Sequence, residues 1–357
     1  MQVSVIGGGL AGALLAWRLA RQPDVDRVSL APGAARDRDA TAASGGAVRG
    51  YETEPAQRRL AIDSLTELLS DDRLRDWAGY TETGSLYRPL ETAQLEAGAA
   101  EVADALPGSV RLLTAGQLRE LGWAGTEDDA GEEPVAVAER QAGYLDPERL
   151  RSSALADLAG RGNVDLLPDG AVTEIGPGRF RLAGTEHGAD VVVLATGAWT
   201  PALLRDGGWD GAGLRTKAIQ YTIFEVADWR PGTFVDEVTG LYGKPAGAGQ
   251  LIGLPTQAWD VPPDGPQPDQ ALSDTVFSLA QQRFPRLRLA SGARPVVALD
   301  CYSEDFRLAL RPVAGTDGRL RTFTGGSGGA AKTVLAASAQ AAGRLVGAAD
   351  RTQVGSA

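Results

Sequence analysis

The hydrophobic pattern at the start of the chain predicts a strand, a tight turn and a helix in immediate succession. An apolar run ending at Ile6 leads directly into Gly7, Gly8, Gly9 and Gly12, and an alanine- and leucine-rich segment with helical periodicity follows. The spacing Gly7-x-Gly9-x-x-Gly12 is the fingerprint of a dinucleotide-binding turn, in which backbone approaches a pyrophosphate and a helix packs closely on a strand. The N-terminus of that helix then faces the phosphates. A glycine turn that binds nothing is the alternative interpretation.

Alternation of predicted strands and helices continues to about residue 214 and is typical of an α/β protein. Residues 26–30 form the second strand of a βαβ unit, and residues 191–194, apolar throughout, predict a central strand of a parallel sheet. Residues 31–52 are polar and small, which favours a loop near the ligand. The remaining predictions in this part are a strand over 84–90, helices over 54–80, 91–104 and 143–160, and short strands in NVDLLPD, AVTEIGPG and RFRLAG.

The pattern changes between residues 215 and 301. Short strands are predicted in AIQYTIFEV, GTFVDEV, GLYGKP, GQLIGLP and RPVVALD, and one helix in DQALSDTVFSLAQQRF. This composition is typical of an antiparallel substrate-binding domain inserted between the dinucleotide-binding segments. The chain then returns to strand, glycine turn and helix in LRTFTGGSGGAAKTVLAASAQ.

Composition and charge narrow the class of partner. Of the 357 residues, 43% are hydrophobic, so a sizeable core can form, and the formal net charge is -11. Nucleic-acid and anionic-membrane binding depend on clustered positive charge, so we expect a small-molecule substrate, no nucleic acid and no membrane. No run of about 20 apolar residues predicts a membrane span. The first strand carries the glycine motif instead of a signal sequence, and we expect a cytoplasmic protein.

The chain contains one cysteine, Cys301, and one histidine, His187. These counts exclude an intrachain disulfide and any metal centre built on cysteines or histidines, and we expect no metal site. His187 lies in a polar segment flanked by glycine, which predicts a solvent-exposed loop. Any acid–base chemistry here therefore runs without histidine.

Four separated stretches resemble the FAD-dependent amine and amino-acid oxidases that include D-amino-acid oxidase, glycine oxidase and monomeric sarcosine oxidase. They are VIGGGLAGALLAWRLA, TAASGGAVRGYE, VVVLATGAWT and DFRLALRPV with FTGGSGGAAKTVLA, in that order along the chain. The substrate-facing middle third matches in pattern only. The resemblance implies an α/β fold with a Rossmann-like FAD-binding domain of the glutathione-reductase type, interleaved with a substrate domain of antiparallel β-sheet plus helices.

The resemblance also implies domain boundaries and a set of cofactor-binding residues. Segments 1–80, 140–214 and 302–357 form the expected FAD-binding domain, and 81–139 with 215–301 the substrate-binding domain. The residues expected against FAD are Gly7, Gly9, Leu10, Ala11, Gly12, Ser44, Gly45, Arg49, Val172, Thr196, Gly197, Trp199, Cys301, Gly326, Ser327, Gly328, Gly329, Ala330 and Lys332.

Lys332 follows the C-terminal glycine turn directly and is one of three lysines in the chain. By the resemblance, Lys332 and the helix N-terminus both favour negative charge on the N1/O2 side of the flavin. Arg49 matches an arginine that the sarcosine-oxidase branch places above the flavin ring. An ordinary helix-cap lysine and a surface arginine are the alternatives.

The chain departs from the family pattern at two polar positions. The second strand lacks the terminal acidic residue that holds the adenosine ribose, and Arg36, Asp37 or Asp39 from the following loop are the possible substitutes. Glu52 stands where sarcosine oxidase has a carboxylate-binding arginine, and a carboxylate there attracts a cationic amine. Arg307 and Arg311 are alternative carboxylate clamps, so the substrate charge stays open at this point.

Lys244 and Cys301 carry two further hypotheses. The stretch that holds the oxygen-reducing lysine of sarcosine oxidase has no lysine here, and Lys244 on the preceding strand is the candidate substitute. Some relatives attach FAD covalently to a cysteine shortly before the C-terminal motif, and Cys301 lies near that place. Non-covalent FAD is favoured, with Cys301 as a small buried hydrophobe.

These features predict an enzyme that oxidises the C–N bond of an amine or amino acid by hydride transfer to flavin N5, giving an imine and, on reoxidation by O2, hydrogen peroxide. A biosynthetic role, a carrier-bound or non-amino-acid substrate, and a non-catalytic dinucleotide-binding protein are the alternatives. The oligomeric state stays open. Tyr51 is an additional site candidate, and the expected catalytic residues are Arg49, Glu52, Lys244, Tyr302, Arg307 and Lys332.

Overall fold

The chain builds a parallel sheet flanked by helices and a larger, mainly antiparallel sheet. A computed structural model describes residues 1–33, 39–125, 131–263, 266–326 and 329–354. The strands are β1 (Gln2–Ile6), β2 (Arg27–Ala31), β3 (Ala47–Val48), β4 (Thr81–Glu82), β5 (Ser85–Arg88), β6 (Val110–Thr114), β7 (Pro134–Glu139), β8 (Gly143–Tyr144), β9 (Val164–Leu166), β10 (Val172–Gly176), β11 (Arg179–Leu182), β12 (Thr185–Gly188), β13 (Val191–Leu194), β14 (Arg215–Val226), β15 (Phe234–Asp236), β16 (Leu241–Ala246), β17 (Gly249–Gly253), β18 (Leu289–Tyr302), β19 (Ala309–Pro312) and β20 (Leu320–Thr324). The α-helices are α1 (Leu10–Leu19), α2 (Pro55–Ser70), α3 (Asp72–Ala78), α4 (Leu95–Ala105), α5 (Ala115–Glu120), α6 (Pro147–Ala159), α7 (Thr200–Asp206), α8 (Gln270–Arg283) and α9 (Ala330–Val354).

The parallel sheet places both glycine turns at one edge. Within the described residues its strand order is β19-β20-β13-β1-β2-β9, and every pairing except β19 with β20 is parallel. β13 lies between β1 and β20, so the predicted central strand is confirmed. Because the carboxyl ends of parallel strands share an edge, the turns after β1 and β20 open toward the same space.

The larger sheet has the order β18-β14-β17-β16-β15-β5-β7-β6, counted over the described part of the chain. Its pairings are antiparallel except that β15 and β5 run parallel. β5, β6 and β7 come from the first predicted substrate segment and β14 to β18 from the second, so strands distant in sequence share one sheet. The predicted domain boundaries themselves stay a prediction.

The predicted helix over 54–80 is wrong as a single element. Asp71 adopts an extended conformation, and its side chain accepts a hydrogen bond from the backbone N–H of Leu74 at 3.1 Å, so one helix ends and α3 begins there. The predicted exposed loop around His187 is also wrong, because His187 lies on β12 and stacks on Phe180 with ring centroids 5.1 Å apart. Cross-strand packing therefore gives this ring a neighbour that the sequence did not reveal.

A buried ion pair fixes α8 beneath the large sheet. The Nε of Arg283 donates to the carboxylate of Asp236 at 2.7 Å, and the two side chains are 3% and 0% exposed. Thr239 donates to the same carboxylate at 2.6 Å. Such a pair is costly to break, because a lone buried charge remains.

None of the helices in the described residues is long and apolar enough to cross a membrane. The same residues contain no cluster of histidine, cysteine and carboxylate side chains suited to a metal ion.

Candidate active site

A cavity of about 960 Å³ runs between the carboxyl edge of the parallel sheet and one face of the large sheet. The turn after β1, the loop around residues 39–47, the segment 195–199 and the turn after β20 line one side. Side chains of β14, β16 and β18 line the other side. The cavity therefore joins the predicted dinucleotide turn to the predicted substrate sheet in a single continuous space.

The glycine turn after β1 is required by close backbone contacts. Gly7 has a φ of +117°, and a Cβ at Gly12 would overlap the carbonyl oxygen of Gly7. Gly9 differs, because a Cβ there would meet only the Oγ1 of Thr41, at 3.5 Å. Gly9 also lines the cavity. Gly7 and Gly12 thus shape the turn, whereas Gly9 keeps its surface open to a ligand, as a pyrophosphate cradle requires.

The loop after β2 closes over the start of α1. The Oγ1 of Thr41 accepts a hydrogen bond from the backbone N–H of Leu10 at 3.0 Å. Asp39 lines the cavity, and its carboxylate pairs with Arg151 at 2.7 Å. Arg36 and Asp37 lie outside the described residues, so Asp39 is the sequence candidate for the ribose that the structure places on the cavity wall.

Most of the expected cofactor residues line this cavity. Gly12 does not line the cavity and packs against the backbone of Gly7 instead. Ser327 and Gly328 lie outside the described residues. The lining residues from the expected set are Gly7, Gly9, Leu10, Ala11, Ser44, Gly45, Arg49, Val172, Thr196, Gly197, Trp199, Cys301, Gly326, Gly329, Ala330 and Lys332.

Three charged residues form a buried cluster beside the C-terminal glycine turn. The Oε1 of Glu52 lies 2.6 Å from the Nη2 of Arg49 and 2.9 Å from the Nζ of Lys332. The three side chains are between 8% and 11% exposed. Arg49 and Lys332 line the cavity, whereas Glu52 is not among the lining residues of the described chain. The cluster carries a net charge of +1, and the Glu52 carboxylate faces its two partners.

The protonation of this cluster follows from burial and mutual attraction. Burial raises the pKa of Glu52, but Arg49 and Lys332 outweigh it, so that the pKa lies below its usual value. Burial lowers the pKa of Lys332, and Glu52 opposes that shift. The ionised form of Glu52 therefore holds two cations at the cavity wall.

Glu139 on β7 fixes the segment that carries Arg49 and Glu52. Its two carboxylate oxygens accept hydrogen bonds from the backbone N–H groups of Gly50, at 2.7 Å, and Tyr51, at 2.9 Å. Burial raises the pKa of Glu139, and the two N–H groups act in the opposite direction. Sequence reasoning missed this positioning residue. Tyr51 is buried and packs edge-on against Tyr87, so it has a packing role here.

The structure does not bring Arg307 and Arg311 to the cavity wall. Arg307 pairs with Asp305 at 2.9 Å and Arg311 pairs with the same carboxylate at 2.6 Å. Neither arginine is among the lining residues of the described chain. Ser303 also donates to Asp305 at 2.6 Å. Burial raises the pKa of Asp305, yet these donors lower it to about 2.

This lowered pKa predicts a pH-dependent contribution to stability. We expect Asp305→Asn to lower the free energy of unfolding by roughly 1 kcal/mol at pH 7, a modest value because solvent screens the partly exposed carboxylate. The contribution is fully present above the ordinary pKa of 3.8 and is lost as pH falls toward about 2. Urea unfolding from pH 7 to pH 2 measures it. The control Asp63→Asn, on the exposed face of α2, is expected to change stability by less than about 0.5 kcal/mol. A difference that stays constant with pH would contradict the assignment.

Lys244 and Tyr302 both line the cavity. The Nζ of Lys244 lies 4.1 Å from the ring centroid of Tyr144 and donates to the carbonyl of Pro245 at 3.1 Å. Burial lowers the pKa of Lys244, and Asp146 opposes the shift. Burial likewise raises the pKa of Tyr302, which keeps its hydroxyl protonated. An oxygen-related role for Lys244 stays a prediction.

Cys301 lies on β18 and reaches the cavity, but its surroundings do not activate it. The side chain is 4% exposed and packs among apolar residues that include Ile6 and Leu194. Burial raises the pKa of its thiol to about 12, although a hydrogen bond with Thr324 acts in the opposite direction. Because the thiolate is the reactive form, this environment favours non-covalent FAD.

Lys217 on β14 and Asp300 on β18 are among the cavity-lining ionisable residues that were not selected from the sequence. Their Cα atoms are paired directly across the two strands. Lys217 is one of the three lysines, and Asp300 interrupts the apolar run VVALDCY. A single charge in a buried strand is a signal that would have selected Asp300.

The fold and the cavity define a dinucleotide-dependent oxidoreductase with a separate substrate sheet. A family model described as FAD dependent oxidoreductase (DAO) matches residues 2–344, and the chain belongs to this family. The resemblance seen in the sequence is thereby confirmed, and the cofactor is FAD. The glycine turn fits this cofactor because Gly7 and Gly12 shape it and Gly9 leaves backbone surface open at the end of β1.

Solved structures share this fold over nearly the whole chain. L-proline dehydrogenase from P. horikoshii has a TM-score of 0.77 at 16% identity, with 96% of this chain and 92% of that chain covered. Glycine oxidase from Geobacillus kaustophilus has a TM-score of 0.73 at 19% identity, with 96% and 94% covered. NikD, described as an unusual amino acid oxidase essential for nikkomycin biosynthesis, has a TM-score of 0.68 at 18% identity, with 95% and 92% covered. No curated protein matches the chain in sequence.

Proposed function

We propose that this FAD-dependent oxidoreductase oxidises the C–N bond of an amine or amino acid. The observation that carries the proposal is the continuous cavity, which joins the glycine cradle after β1 to ionisable side chains on the large sheet. Structural neighbours named as proline dehydrogenase, glycine oxidase and amino acid oxidase support the substrate class. Reoxidation by O2, a cytoplasmic location and a biosynthetic role belong to the same proposal.

Each part of the cavity wall has a task in this reaction. The turn at Gly9 and the N-terminus of α1 hold the pyrophosphate, because backbone N–H groups and the helix dipole favour negative charge. The cluster of Arg49, Glu52 and Lys332 has a net positive charge and stabilises negative charge that develops beside it. FAD bound at this turn would supply the acceptor for the hydride that leaves the substrate carbon, and its reoxidation by O2 would yield hydrogen peroxide. The large sheet excludes water and orients the carbon to be oxidised.

An anaerobic reduction experiment tests the proposal. We expect the purified, FAD-loaded protein to lose its long-wavelength flavin absorbance when a suitable amino acid or amine from a broad panel is added. Admission of air is expected to restore the absorbance with release of one hydrogen peroxide per substrate oxidised. The proposal would be overturned if no amine or amino acid reduced the flavin. If a substrate reduces the flavin but admission of air releases no hydrogen peroxide, the enzyme is a dehydrogenase.

The same preparation decides how FAD is attached. Acid precipitation is expected to release the flavin into the supernatant, because the Cys301 thiol stays protonated in its apolar surroundings. Flavin retained in the pellet of the wild type and released from Cys301→Ser would instead establish a thioether at Cys301.

A further inference from the structure

The Lys217 and Asp300 side chains line the cavity on neighbouring strands of the large sheet. They lie opposite each other on β14 and β18, where directly opposed side chains have Cβ atoms about 4.5–5.5 Å apart. Lys217 is 9% exposed. Within the described ranges, neither side chain makes a hydrogen bond or ion pair, and no ion pair joins the two. A buried, unpaired charge is costly, so its presence on a cavity wall indicates that a ligand completes the pairing.

Two aromatic rings surround the ammonium of Lys217. The Nζ lies 4.7 Å from the ring centroid of Trp259 and 5.5 Å from that of Tyr302. Burial lowers the pKa of Lys217 and raises the pKa of Asp300 to about 6. Both shifts have burial as their cause, as expected where no protein group of opposite charge is in contact.

The other cations near the cavity are already engaged. Arg49 and Lys332 share the Glu52 carboxylate, and Arg311 pairs with Asp305 outside the cavity wall. Lys244 is directed to the ring of Tyr144 and to a backbone carbonyl. Among the cavity-lining lysines of the described residues, Lys217 therefore differs from Lys244 and Lys332, because its ammonium contacts only aromatic rings.

We propose that Lys217 binds the carboxylate and Asp300 the amino group of an α-amino or α-imino acid substrate. This inference rests on the proposed function and narrows it, because a carrier-bound substrate or a simple amine lacks the second charge. An α-amino acid carries a carboxylate and an ammonium on the same carbon. These two charges are complementary to Lys217 and Asp300, which lie directly across from each other on β14 and β18. Tyr302 lines the cavity beside them, and the ring of Trp259 packs edge-on against it with centroids 5.2 Å apart.

Asp300 also provides the base that a chain with one histidine otherwise lacks. The substrate must lose an ammonium proton before its carbon is oxidised. In this step an N–H bond breaks, its electron pair stays on nitrogen, and an oxygen of the ionised Asp300 takes the proton. The groups that face Asp300 are Lys217 from β14, Tyr242 from β16, and Cys301 and Tyr302 from its own strand.

The test compares amino acids with their decarboxylated amines in the FAD-loaded enzyme. For Lys217→Met, we expect substrate binding, measured by rapid anaerobic flavin reduction, to weaken by about thirtyfold or more, while the limiting rate changes little. The decarboxylated amine is expected to react equally with the variant and the wild type. Lys217→Arg is expected to restore part of the binding. Asp300→Asn is expected to lower kcat/KM by about a hundredfold and to remove the acidic limb of its pH profile.

A matched control variant and a binding probe distinguish failure of this inference from failure of the proposed function. Arg294→Gln removes an exposed charge from β18, the strand that carries Asp300, at a position outside the cavity lining, and is expected to leave binding unchanged. Propionate, which cannot be oxidised at a C–N bond, is expected to perturb the flavin spectrum of the wild type but not of Lys217→Met. If no amine or amino acid reduces the flavin, the proposed function fails. If amino acids reduce Lys217→Met as they reduce the wild type, only the present inference fails.

Discussion

Gly9→Ala is expected to weaken FAD binding by about a hundredfold, or ~2.7 kcal/mol, without loss of fold stability. Gly9 has a φ of -66° and a ψ of 173°, which alanine adopts without strain. The added methyl meets only the Oγ1 of Thr41 at an ordinary distance of 3.5 Å. It does occupy surface that the pyrophosphate must approach, so the effect falls on the cofactor. FAD titration of the stripped protein and its urea unfolding measure the two quantities.

Gly12→Ala provides the contrast within the same motif. Its methyl overlaps the carbonyl oxygen of Gly7 and lies 3.1 Å from the Cβ of Ala195, so the turn must move. We expect this variant to lose FAD binding and also about 1–3 kcal/mol of fold stability. Normal FAD affinity in Gly9→Ala would show that the pyrophosphate is not held at this turn.

The sequence predicts this part of the site well because the relevant contacts are local. The glycines lie within six positions of one another, and their spacing alone describes a strand, a turn and a helix. A strand that is buried on both faces of a sheet has no polar side. The run 191–194 is apolar throughout, and it therefore predicts a central strand of the parallel sheet.

The rest of the site depends on contacts between distant residues. Glu52 was interpreted from its position in a motif, and its pairing with Lys332, far along the chain, appears only when α9 packs beside that loop. Lys217 and Asp300 meet through the register of β14 and β18, which the sequence pattern does not fix. Arg307 and Arg311 are candidate carboxylate-binding residues in the sequence, but in the fold both pair with the Asp305 carboxylate. The sequence pattern does not predict this shared contact.

Glu52→Gln is expected to lower the free energy of unfolding by about 3–5 kcal/mol. The substitution keeps the size of the side chain but removes its charge, which leaves the buried cations Arg49 and Lys332 facing each other. Arg49 Nη2 and Lys332 Nζ lie 2.6 Å and 2.9 Å from the same Glu52 oxygen, so the two cations are close neighbours. Like charges this close repel strongly where water is excluded. Urea unfolding at pH 7 measures the loss, and retention of bound FAD reports on the cavity itself.

Glu82→Gln is the matched control, because it removes the same charge from a pair at the protein surface. Glu82 lies 3.5 Å from Arg140, and the two side chains are 45% and 61% exposed, so we expect a loss of no more than about 1 kcal/mol. The double variant Glu52→Gln with Lys332→Met is expected to recover part of the stability, because Arg49 then remains without a like charge beside it and still donates to the carbonyl of Tyr51. A recovery of this kind establishes that repulsion between the two cations causes the loss. Equal losses in Glu52→Gln and Glu82→Gln would contradict a buried, ionised Glu52, and with it the net charge of +1 assigned to this cluster.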